Sequence, residues 1–68
     1  MSHTRLLMAE ILARWDHLTL SDLEHIQLDR IQIARLLEAR YAFCRSRAER
    51  EADFFFADFA ERLKRAAA

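Results

Sequence analysis

Hydrophobic residues recur at helical spacing through the middle of the chain. Between residues 26 and 43, apolar side chains return every three or four positions, which is the period of an α-helix. One face of this helix collects the residues expected to meet a core, namely Ile26, Ile33, Ala34, Leu37, Tyr41 and Cys44. The pattern therefore predicts a central helix whose inner face, the small Cys44 side chain included, is buried.

The same stretch is also apolar on nearly its opposite face, where a surface helix is ordinarily polar. Leu28, Leu36, Ala39 and Phe43 lie there, and such a helix needs cover on both sides. In the last segment, Phe54 projects away from the main apolar stripe of its helix. This second apolar face is buried either by the first helix of the same chain or by a partner protein. The contact-surface candidates predicted from this pattern are Leu28, Leu36, Phe43 and Phe54.

Two further segments show a single apolar stripe each. In the first, at about residues 4–16, Thr4 or Ser2 can cap the start and Trp15 is expected to close one end of the core. The last segment, at about 46–65, begins with a Ser-x-x-Glu capping box at Ser46. Its stripe consists of Ala48, Ala52, Phe55, Phe59 and Leu63.

A capping box also marks the start of the second helix, because Thr19 and Asp22 have the required spacing, and Ser21 with Glu24 offers a competing box two residues later. From about residue 20, one long helix to 43 is possible, since glycine and proline are absent. However, the apolar stripe shifts phase near 27–29, and Asp29 suits the first turn of a new helix. We therefore predict an all-α fold over residues 1–68: a small antiparallel bundle of three helices, or of four if the middle helix breaks near residue 28.

Length and composition point toward association. A chain of 68 residues buries only about 60% of the surface that its unfolded form exposes, so it is marginally stable unless something else contributes. One cysteine forms no internal disulfide, and no metal-binding pattern is present around the three histidines. Oligomerisation is the remaining route, which supports a homo-oligomer or a complex with another protein.

Charge and candidate chemistry restrict the function further. Eleven basic and eleven acidic residues balance, which makes nucleic acid an unfavoured partner. No apolar run approaches the ~20 residues of a membrane span, and the first residues do not resemble a signal peptide, so a cytoplasmic location is expected. No pattern typical of a catalytic, cofactor or small-molecule substrate site occurs, and we predict no cofactor. One basic cluster is a candidate binding patch, although acidic residues interleave it: Arg40, Arg45, Arg47 and Arg50.

A longer series of residues resembles a known family. It runs Trp15-x-x-Leu18-Thr19-x-x-Asp22-Leu23-x-x-Ile26, then Arg30-x-Gln32-Ile33, Arg40-Tyr41 and Ala48-Glu49-x-Glu51. This register, without gaps from Trp15 to about Phe54, resembles the CsbD-like general stress proteins. The family pattern has glycine where this chain has Leu28, Arg35 and Ala42, and polar residues where it has Leu20, Ile31 and Leu36.

The resemblance implies a small cytosolic helical bundle linked to bacterial stress responses, without an established biochemical activity. The sequence therefore predicts a non-enzymatic, stress-associated protein that acts through protein–protein contacts and self-associates. The alternative is a small regulatory module that binds nucleic acid or an acidic partner through the cluster between Arg40 and Arg50.

Overall fold

A computed structural model describes residues 3–67 of the chain, and within them every regular element is an α-helix. The elements are α1 (Thr4–Arg14), α2 (Leu20–Glu24), α3 (Arg30–Tyr41) and α4 (Arg45–Ala67). The predicted all-α bundle is confirmed. Of the two alternatives, the four-helix arrangement is the one observed.

The start of α1 differs from the predicted cap. His3 occupies the N-cap position, and Thr4 is the first residue of the helix. The Leu7 N–H donates to the His3 carbonyl oxygen at 2.8 Å. Ser2, the other predicted cap, lies outside the residues that the structure describes.

The break between α2 and α3 has a local cause. Asp29 takes an extended conformation at the N-cap of α3, and its carboxylate accepts a hydrogen bond from the Gln32 backbone N–H at 2.8 Å. This bond satisfies one of the backbone donors that a new helix leaves unpaired. Ile26 and Leu28, on either side of the phase shift, pack half-buried against the core. The phase shift in the apolar stripe therefore marks a true interruption of the helix, between the end of α2 at Glu24 and the start of α3 at Arg30.

Helix α3 ends at Tyr41, two residues before the predicted end. Ala42 follows in the left-handed conformation, with φ 56° and ψ 32°, and this turns the chain toward α4. Cys44 consequently lies outside the helix and is exposed. The prediction that Cys44 is a buried residue is wrong, because a helical projection has no meaning beyond the residue at which the helix stops.

Helix α4 begins at Arg45, so Ser46 lies inside the helix rather than at its cap. The Ala48 N–H already donates to the carbonyl oxygen of Cys44 at 3.0 Å. The predicted stripe along this helix is otherwise confirmed, with Leu63 half-buried and four residues buried: Ala48, Ala52, Phe55 and Phe59.

The core lies between the α3–α4 hairpin and the N-terminal part of the chain. Helices α3 and α4 run antiparallel, since Arg30 at the start of α3 pairs with Asp53 at 3.3 Å, while the two helices meet at the connection 42–44. Trp15, directly after α1, is buried against Phe55 with ring centroids 5.0 Å apart. The prediction that Trp15 belongs to the core is confirmed. The residues of the core cluster are Ile11, Trp15, Leu18, Leu23, Ile33, Ala34, Leu37, Ala48, Ala52 and Phe55.

Polar contacts fasten α2 to the end of α3. The predicted capping box is present, with Thr19 and Asp22 each accepting from the other's backbone N–H. The Asp22 carboxylate also accepts two hydrogen bonds from the Arg40 guanidinium, and these bonds lower the pKa of Asp22 to about 2. Nearby, the Tyr41 hydroxyl donates to Asp16 at 3.2 Å. The C-terminal turn of α3 is thus held to the turn before α2.

Replacing Ala42 with glycine is expected to stabilise the fold by about 0.5–1 kcal/mol. An L-residue in the left-handed region loses about 1–2 kcal/mol, which glycine avoids. Part of this gain is offset by the larger conformational entropy that glycine has in the unfolded chain. The measurement is the free energy of unfolding from urea titration followed by circular dichroism.

Ala39→Gly is the matched control, because Ala39 is exposed within α3 and has a helical conformation. That change is expected to destabilise by about 0.8–1 kcal/mol. If Ala42→Gly destabilised the protein to the same extent, the left-handed turn would be disproved.

Candidate interaction surface

Phe54 is the most exposed large apolar side chain among the described residues. The residue is 69% exposed and lies near the middle of α4, on the side that faces away from the core. The buried residues of α4 recur on the opposite side of the helix, so rotation of the ring about its side-chain bonds cannot bring it into the core. The other exposed large apolar residues are Leu6, Leu20 and Ile31.

The other three predicted contact candidates lie differently. Leu28, Leu36 and Phe43 are half-buried and pack against the core of their own chain. Phe43 stacks on Tyr41 with ring centroids 5.1 Å apart, and the Arg47 guanidinium lies over its outer face at 4.0 Å. These three residues are therefore largely accounted for within the chain. Their contact with a partner stays a prediction.

Phe54 forms a ridge that is shared by three shallow grooves. On one side the groove runs between α1 and α4 and is lined by Ala13 and Arg14. A second groove reaches the start of α4, where Arg47 and Arg50 line it. The third lies along α4 itself beside Ala57. A projecting aromatic ring between shallow grooves can pack against a complementary protein surface. It does not form the kind of cavity that encloses a small molecule.

A stripe of exposed residues runs along α4 through Phe54. Its members lie four and seven positions on either side of the ring, and these spacings place them on one helix face. We call this set the α4 outer stripe: Arg47, Arg50, Phe54, Asp58 and Glu61, all exposed. The half of the stripe nearer the start of α4 is basic and the other half is acidic.

The predicted basic cluster does not form one free cationic surface. Arg40 is engaged by Asp22, which raises the pKa of the Arg40 guanidinium. Arg45 lies 3.9 Å from a Glu38 carboxylate oxygen, and Arg47 covers the Phe43 ring. Among residues 3–67, Arg50 is the member of the cluster with no ion pair or ring contact, and it belongs to the α4 outer stripe.

Two histidines, His17 and His25, make local contacts. His25 Nδ1 lies 2.7 Å from the Ser21 carbonyl oxygen, and His17 Nδ1 lies 3.1 Å from an Asp16 carboxylate oxygen. The part of the chain that the structure describes contains no group of three or more histidine, cysteine or acidic side chains able to hold a metal ion. In the same part, none of the helices has the length and apolar character needed to cross a membrane.

Sequence reasoning singled out Phe54 but missed the acidic half of the stripe. Taken singly, Asp58 and Glu61 look like ordinary solvated residues. They lie four and seven positions after Phe54, and Arg50 and Arg47 lie the same numbers of positions before it. That spacing is visible in the sequence. The spacing indicates a contact surface only once Phe54 is known to be exposed.

Comparison of the chain with models of protein families, with curated proteins and with solved structures finds no match in any of the three. The resemblance to the CsbD-like proteins rests on the motif residues given above and stays a prediction.

Proposed function

We propose that this protein is a non-enzymatic helical module that acts through protein–protein contacts and associates with a second copy of itself through the α4 outer stripe. The observation that carries the proposal is the exposure of Phe54. An exposed aromatic ring contributes nothing to folding, whereas covering it is worth about 1.5–3 kcal/mol per ring. In a symmetric dimer the gain is made twice.

The size of the chain supports the same conclusion. A domain of this length has a small core, and association is one of the few ways to add buried apolar surface. The largest exposed apolar residue lies on the longest helix, in a region with polar residues around it. An aromatic centre with a charged rim is the usual composition of a protein–protein contact.

The expected association is weak and reversible. Forming a dimer costs about 4–15 kcal/mol in translational and rotational freedom before any contact is counted. The two rings together contribute about 3–6 kcal/mol and the exposed ion pairs about 0–1 kcal/mol each, so their sum exceeds only the lower end of that cost. The proposed dimer therefore forms between about 0.1 mM and millimolar concentration, and its population depends on local concentration.

The biological setting rests on the sequence alone. The motif residues from Trp15 to about Phe54 support a role in a stress response and, through the same resemblance, a cytoplasmic location. We include both in the proposal. A protein whose association depends on its concentration suits a setting in which its amount rises.

Sedimentation equilibrium from micromolar to millimolar concentration at low salt tests the proposal. We expect a concentration-dependent mass that rises from 8.1 kDa toward twice that value. Phe54→Glu is expected to abolish this rise, because it places a carboxylate at the centre of the contact.

Ile31→Glu is the matched control, since Ile31 is 58% exposed but lies on α3. It makes the same chemical change outside the stripe, and the dimer should persist. Circular dichroism of both variants verifies that the fold is intact. A mass of 8.1 kDa for the unaltered protein at every concentration would overturn the proposal.

A further inference from the structure

The charges of the α4 outer stripe are arranged antisymmetrically about Phe54. Four and seven positions before the ring stand Arg50 and Arg47, and four and seven positions after it stand Asp58 and Glu61. All of these side chains are exposed on the same face of α4. A helix face with this arrangement is complementary to itself when turned end for end.

We propose that two copies pair through α4 in an antiparallel orientation, with Phe54 against Phe54 on a twofold axis. This inference rests on the proposed self-association and adds its orientation and register. The axis brings Arg50 opposite Asp58 of the second copy, and Arg47 opposite Glu61 of the second copy. Each pairing occurs twice, so a dimer contains four such oppositely charged pairs.

Other arrangements of the same two helices are less favourable. A parallel pairing at Phe54 sets Arg50 against Arg50 and Asp58 against Asp58, and like charges facing each other across an interface are strongly unfavourable. Sliding the antiparallel pair by one turn moves each Phe54 ring opposite Arg50 or Asp58 of the second copy, so the contact between the rings and both charge pairings are lost. The antiparallel register centred on Phe54 is therefore the one in which ring contact and charge complementarity coincide.

Contacts within each chain leave the inner pair, Arg50 with Asp58, free to form. Arg50 has no ion pair among the described residues, so no existing contact is lost when it turns to a second copy. Asp58 lies 3.0 Å from Arg62, but Arg62 also pairs with Glu10 at 2.8 Å. Arg62 thus keeps a partner when Asp58 faces Arg50 of the second copy. In the outer pair, Arg47 also lies over the Phe43 ring at 4.0 Å and Glu61 lies 3.9 Å from Arg65 of its own chain.

Spin labels on Cys44 test the orientation. Cys44 is the single cysteine of the chain, is exposed and directly precedes α4. It lies ten positions before Phe54, so with a helical rise of 1.5 Å per residue the two labels of an antiparallel dimer are about 30 Å apart. A parallel pairing places the labels near the interaxial separation of about 10 Å. A pulsed electron spin resonance distance of about 10 Å would overturn the proposal.

Charge exchange tests the register. Arg50→Asp and Asp58→Arg, each alone, are expected to weaken the dimer by at least about tenfold, because each places like charges opposite one another twice. An equimolar mixture of the two variants should associate again as a heterodimer. In that heterodimer, the two acidic positions of one chain face the two basic positions of the other, so opposite charges meet again at both places. Sedimentation of the separate and mixed variants provides the measurement.

Controls with the same charge change lie on α4 outside the stripe. Lys64→Asp matches the first variant and Glu49→Arg the second, and both residues are exposed. Both controls should leave the dimer unchanged. If the mixture does not recover while the unaltered protein dimerises and Phe54→Glu prevents it, the register is wrong and the proposed self-association stands. If the unaltered protein is monomeric throughout, both are wrong.

Discussion

Replacing Leu37 with alanine is expected to lower the free energy of unfolding by about 2–5 kcal/mol. Leu37 is 0% exposed and is among the largest fully buried side chains of the core. The change removes three carbon atoms from a site that α3 and α4 hold closely together, so the cavity does not collapse completely.

The consequence is large for a chain of this length. At about 0.05–0.15 kcal/mol per residue, the stability of 68 residues amounts to roughly 3–10 kcal/mol. Leu37→Ala therefore removes a major part of it. Urea titration followed by circular dichroism measures the loss, with a slope that should stay close to that of the unaltered protein.

Ile31→Ala provides the comparison, because Ile31 is on the same helix but is exposed. Its expected cost is within about 0.5 kcal/mol. A cost that small for Leu37→Ala would mean that the inner face of α3 has been assigned wrongly.

Replacing Trp15 with alanine is expected to cost about 3–5 kcal/mol and to release α1 from the bundle. Trp15 is 4% exposed and lies against Phe55 of α4. Helix α1 has 11 residues, and an isolated helix of that length is marginal in water. Without the indole ring, α1 keeps Ile11 in the core but loses the large aromatic contact at its C-terminal end.

Amide hydrogen exchange distinguishes this local effect from general destabilisation. In the Trp15→Ala protein, the amides of α1 should lose protection before those of the α3–α4 hairpin. Trp15→Phe keeps an aromatic ring against Phe55 and is expected to retain protection in α1. Equal loss of protection in α1 and in the hairpin would contradict the idea that Trp15 holds α1 in place.

Several local features of the fold could be predicted from the sequence. The capping box at Thr19 depends on side chains three residues apart, and the buried stripe through Phe55 depends on helical spacing within one segment. Local spacing also identified Leu37 as core. These features involve neighbours in the chain, which is why a pattern of residue types is sufficient to predict them.

The bounds of the helix in the middle of the chain could be determined only from the three-dimensional structure. Residues 26–43 read as one helix apolar on two faces, but the helix begins only after Asp29 and ends before Ala42. Leu28 and Phe43 therefore lie outside α3, and the face on which the projection placed them is not a single helix face. The sequence left the break open because no glycine or proline forces it; the Asp29 cap permits a new helix there, and the packing of Ile26 and Leu28 on the core favours it.

Some features of the candidate surface likewise follow from the sequence, and others from the tertiary structure. By itself the sequence determined that Phe54 falls off the buried stripe of α4 and that basic and acidic residues mirror each other about it, since both follow from helical periodicity. The tertiary structure decided that Leu28, Leu36 and Phe43 pack half-buried on their own core, and that Arg40 is engaged by Asp22, eighteen positions away. The physical reason is that periodicity is a property of neighbouring residues, whereas burial and ion pairing depend on which distant segments the fold brings together.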